Sequence, residues 1–129
     1  MSGLLVEVPV SVGDLIDRIT ILEIKLEKIT DEAKRPHIRR EHALLTARRD
    51  AALDPCPHLD ALTRDIAAIN RMLWDVENAL RAMERKGDFG PDFIAKARTV
   101  YKTNDERARI KTRIEALTGS ALSEHKSYE

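Results

Sequence analysis

Apolar residues recur at helical spacing through four stretches of the chain, separated by short clusters of proline, glycine and polar residues. Leu15, Ile19, Leu22, Leu26 and Ile29 alternate steps of four and three, which predicts a first helix from Ser11 to about Ile29. Ile21 and Ile24 fall on its other side, so this helix is expected between neighbours rather than at the surface. Ser11 is a good N-cap, and Asp14 three residues on is placed to reach back toward the first free amides. Ile38, Leu45 and Ala52 give a weaker stripe for a second helix, Pro36–Leu53, which Asp54-Pro55-Cys56-Pro57 breaks. Leu59, Leu62, Ile66, Ile69, Leu73, Val76, Leu80 and Met83 predict a long third helix from His58 to Lys86, with Gly87 as its C-cap. Gly90-Pro91 opens a fourth helix to about Leu117, and Gly119 closes it.

The ends of the chain read differently. Leu4-Leu5-Val6-Glu7-Val8-Pro9-Val10 is rich in strand formers, but Pro9 lacks a donor, so residues 1–10 form an extended arm or edge strand. Residues 11–119 form the helical domain, and 120–129 a polar tail without periodicity. Four amphipathic helices with short connections predict an all-α antiparallel four-helix bundle, with two longer C-terminal helices. Those two would each be roughly 40 Å long and project beyond the first two. A second copy would cover the projection, so a homodimer is expected.

Composition narrows the choice of function. A chain of 129 residues allows one modest core, and with only 4% aromatic residues that core must be aliphatic. Twenty-two basic and twenty-two acidic residues cancel, which gives no support for a general nucleic-acid or membrane binder. No apolar run reaches the length of a membrane span, and Leu4–Val10 is too short for a signal-peptide core, so a cytoplasmic protein is expected. Cys56 is alone, so no intrachain disulfide forms. His37 and His42 are five apart and diverge around their helix, so the histidines make no metal set, and no cofactor motif is present. There is no nucleophile elbow, P-loop or dinucleotide fingerprint, and no enzyme class follows.

The candidate chemistry lies where polar residues interrupt apolar faces. Phe93, Ala97 and Val100 set a face on helix four that continues as Asn104, Arg107 and Lys111. Groups of that kind on a packing face are partnered or line a cleft. Helix three carries a second stripe, Asn70, Trp74, Glu77 and Arg81, beside its apolar one. In one reading Asn70, Trp74 and Glu77 face Arg98, Tyr101, Asn104, Asp105, Arg107 and Lys111 across a cleft. The cations there would take a carboxylate or a phosphate. In the other reading the same cations close an ion-pair network with Glu77, Asp105 and Asp17. On helix one, Asp14, Asp17, Arg18, Lys25 and Lys28 line a polar side. The basic residues of helix two, among them Arg39, Arg40, Arg48 and Arg49, have no stacking aromatics beside them and read as a solvated face.

Three strings and an ending carry a resemblance. They are Val10–Lys25, Asn70-Arg71-Met72-Leu73-Trp74-Asp75-Val76-Glu77, Ala97–Arg107, and Glu124-His125-Lys126-Ser127-Tyr128. With them the chain resembles a family of small bacterial proteins of unknown function, also found as a domain of larger chains. That resemblance implies no catalytic residues, and it implies an accessory role beside sugar-transfer or cell-surface polysaccharide proteins. Asp14–Ile19 is also loosely similar to the opening helix of all-helical chorismate mutases, which bind a dicarboxylate with Arg and Lys from several helices. That similarity implies Arg18 as a ligand cation beside Arg107 and Lys111. The leading expectation is a non-enzymatic binding or protein-interaction module with a protein partner. The alternative is a small enzyme or sensor holding an anionic metabolite in the seam between helices one, three and four.

Overall fold

The computed structural model describes residues 3–120 and 122, and its four helices are α1 (Val12–Lys28), α2 (Arg35–Ala52), α3 (Pro57–Lys86) and α4 (Pro91–Thr118). The fold is all-α, and among the described residues there is no strand. As the pattern predicts, α3 and α4 are the long helices, 30 and 28 residues against 17 for α1 and 18 for α2. No helix among the described residues is long and apolar enough to cross a membrane.

The punctuation residues act through their local chemistry. Ser11 Oγ accepts the Asp14 amide at 3.0 Å and so caps α1. A second hydroxyl, from Ser120, accepts the Val12 amide at 3.1 Å and ties the end of α4 to the start of α1. Asp14 does not reach back to the free amides as the capping pattern suggests; its carboxylate is held by Arg18 and Lys111 instead. Gly87 ends α3 in the left-handed region at φ 69°, which lets the amides of Gly87 and Asp88 turn back to Glu84 and Met83. Beyond that turn Phe89 and Phe93 meet edge to face, with ring centroids 5.2 Å apart.

Packing is organised around α1. It touches α2, α3 and α4, whereas among the described residues α2 touches α1 alone. This fits the two-sided apolar pattern of α1, whose buried residues include Ile16, Ile19, Leu22 and Ile24. Helix α2 has no buried residue, consistent with its weak stripe. It is fastened to α1 by Arg35, whose Nη1 donates to the Leu26 and Ile29 carbonyls at 2.6 and 2.7 Å. Those carbonyls belong to the end of α1, where helical partners run out. The central core is aliphatic: Ile16, Leu59, Ile66, Ile110 and Ile114 pack together, each nearly removed from water. Burial of a side chain of this size stabilises by roughly 1.5–3 kcal/mol. Residues 3–10 lie outside this core and are exposed throughout. Glu7 of that arm meets Arg48 of α2 at 3.0 Å, in an open ion pair.

The crossing of α1 and α4 depends on Gly13. A Cβ there would stand 2.7 Å from the Lys111 carbonyl oxygen and 2.8 Å from Glu115 Oε1. The first of these atoms is backbone, so the helices must separate to admit a methyl group. Gly13→Ala is expected to destabilise the fold by roughly 1–3 kcal/mol through overpacking. Urea unfolding followed by circular dichroism measures this, and a variant as stable as the parent would show that the two helices do not approach this closely.

Candidate functional site

The polar interruption of α4 meets α1 and α3 in one buried cluster. Asp17 is its centre, a carboxylate only 2% exposed. It accepts from Arg107 Nε at 2.9 Å and Arg107 Nη2 at 2.5 Å, one bond to each oxygen. Asn70 Nδ2 from α3 adds a third bond to Asp17 Oδ1 at 2.9 Å and also donates to Thr20 Oγ1 at 3.0 Å. Thr20 in turn donates to the Asp17 carbonyl at 2.7 Å. The two-pronged geometry is the strong form of an arginine–carboxylate pair. Asn104 Oδ1 lies 3.4 Å from Arg107 Nη1 and steadies the other side of the guanidinium.

A second group stands one turn away. Lys111 is 8% exposed and its Nζ lies 3.4 Å from Asp14 Oδ1. Arg18 Nε donates to the other Asp14 oxygen at 2.8 Å. Partial burial works to raise the Asp14 pKa, but the Arg18 hydrogen bond and charge, with Lys111 beside them, prevail and hold it below the ordinary 3.8. Glu115, also buried, flanks Gly13 on the same side of α4.

The candidate residues divide into three sets. Asn70 and Arg107 converge on Asp17 with Asn104 behind the guanidinium, while Lys111 and Arg18 converge on Asp14. Trp74 is half-buried beside the cluster without joining it, and Glu77, Arg98, Tyr101 and Asp105 are exposed. Among the described residues, no hydrogen bond or ion pair links these last four to the cluster. The stripe Asn70, Trp74, Glu77 and Arg81 therefore runs from the interior to solvent along α3. Of the acids that could have closed the network, Asp17 does so and Glu77 and Asp105 do not.

Thr20 is the member that the sequence reading did not name, and Asp17 stood there only as an acid of the internal network, not among the ligand candidates. In sequence Asp17 sits beside Asp14 and Arg18 and reads as part of a polar side. The signal was the row Gly13, Asp17, Thr20 and Ile24, at steps of four, three and four. A glycine heading such a row marks a close helix crossing, and the polar residues below it then point inward. Two clefts lie elsewhere, around the Leu53–Cys56 link. The larger, about 350 Å³, is lined by Ile16, Arg49, Leu53, Cys56, Leu59 and Thr63, and no candidate residue lines either one. Among the described residues, no group of three His, Cys, Asp or Glu side chains is placed to hold a metal ion.

Two outcomes follow from this geometry. Arg107→Met strands a carboxylate that cannot reach water, and is expected to cost about 3–5 kcal/mol. Asp17→Asn is expected to cost less, because Arg107 is 28% exposed and its charge can turn to solvent. Chemical denaturation of both variants tests the order, and equal losses would contradict the burial asymmetry. Because the folded pKa of Asp14 lies below its unfolded value, Asp14 contributes stability above pH 3.8 that is lost as the pH falls through the folded value. The destabilisation caused by Asp14→Asn should therefore shrink as the pH drops below 3.8. A penalty that stayed constant down to the folded pKa would remove the ionic role of Asp14.

A family model described as "Family of unknown function (DUF6165)" matches residues 6–129, nearly the whole chain. No curated protein and no solved structure matches it. The arm from Val6 onward, the three helices that build the charge cluster, and α2 all fall within the matched span, and the chain belongs to this family of unknown function.

Proposed function

We propose that this chain is a non-enzymatic protein-interaction module, working as an accessory to another protein. The observation that carries the reading is the arm. Leu4 is 95% exposed, Leu5 60%, Val6 71% and Val8 66%. Apolar side chains displayed in sequence along an extended segment are suited to docking on a partner, because their burial there supplies the free energy that the chain's own core does not use. The cations that could have held a metabolite have internal acids instead: Arg107 is forked onto Asp17, and Lys111 stands against Asp14. A carboxylate or phosphate would have to displace those acids to bind. The partners to test first are the sugar-transfer and cell-surface polysaccharide proteins that the family resemblance implies.

A photo-crosslinking residue placed at Val6 tests this, with the exposed Glu84 position as control. The expected result is one discrete protein adduct from Val6, absent from Glu84, and lost when Leu4→Asp and Val8→Asp are added without change in melting temperature. Absence of a discrete adduct from Val6 would count against the arm. A saturable rise in melting temperature with a dicarboxylate or a sugar phosphate, abolished by Lys111→Ala, would replace this reading with metabolite binding in the seam.

A further inference from the structure

The outer face of α4 carries a stripe that neither the core nor the charge cluster uses. Ile94, Arg98, Tyr101 and Asp105 follow one another at steps of four, three and four. At 3.6 residues per turn they stay within about 60° of arc. The buried residues Thr103, Ile110 and Ile114 lie on the opposite side of the helix. All four stripe residues are exposed, Ile94 by 56% and Tyr101 by 53%. Among the described residues, neither Arg98 nor Asp105 has an ion pair or a side-chain hydrogen bond. They stand roughly 10 Å apart along the axis, too far to pair with each other.

The charged part of the stripe is complementary to itself. Its cation precedes Tyr101 by three residues and its anion follows by four. Laid against a copy running the other way, each Arg98 comes opposite an Asp105, and the two Tyr101 rings meet at the centre. A copy running the same way would set like charge against like. The absence of net charge leaves no overall repulsion between copies. We propose that this stripe is the self-association face of the protein, with α4 packed on α4 of a second copy across a twofold axis beside Tyr101. The contact is isologous, so one ion pair is made twice. It is independent of the arm and of its partner.

Sedimentation velocity of the full chain at micromolar concentration tests the assignment. The expected mass is twice the 14.6 kDa of one chain. Arg98→Asp alone and Asp105→Arg alone each set like charges opposite one another, and each should weaken the dimer by roughly a hundredfold. The double variant Arg98→Asp/Asp105→Arg should restore it. A mixture of the two single variants should form a heterodimer, since each then supplies the charge the other lacks. Circular dichroism should show unchanged helix content in every variant, because both positions are exposed. A monomeric parent, a dimer that survives both single reversals, or a double variant that stays monomeric would overturn the proposal. A dimer lost only with the arm substitutions Leu4→Asp and Val8→Asp would overturn it too.

Discussion

A buried carboxylate must be met by donors at fixed positions, and Asp17 imposes that demand on three helices at once. Arg107 answers from α4 and Asn70 from α3, while Thr20 holds the backbone of α1 itself. Leaving any of these bonds unmade costs far more than making it gains, so the cluster acts chiefly against wrong arrangements. A slide of α4 by one turn would exchange Arg107 for another residue and leave Asp17 charged in the interior. Gly13 makes the demand achievable, since only a residue without a Cβ lets the Lys111 backbone come close enough. The aliphatic core alone would tolerate several registers, because isoleucine packs on isoleucine without direction. Direction comes from the polar atoms.

Much of the rest follows from where that cluster sits. It binds α1 to the second half of α4 and the first half of α3, and the two long helices also pack on each other. Helix α2 is left on the other side of α1, held by half-buried side chains and by Arg35 on the last carbonyls of α1. The same allocation determines what the molecule shows to the outside. Arg107 and Lys111 are turned inward, while Arg18 and Arg98, the apolar arm and the outer stripe of α4 face solvent.

Helix positions were legible in the chain because their causes are local. The spacing of Leu59 to Met83, the hydroxyl of Ser11, the φ freedom of Gly87 and the prolines at 57 and 91 act within a turn or two of themselves. The two-sided pattern of α1 even announced its central place. Which polar residues would meet was not legible, since Arg98 and Arg107 look alike along the chain and differ only in the side of α4 they occupy relative to α1. Asp17 and Asp105 differ in the same way. The sequence by itself determined four helices, an aliphatic core and the presence of charge on a packing face. Only the tertiary structure decided which acid Arg107 would hold, because ion pairing depends on distance across helices, and that distance was set by a close approach at Gly13.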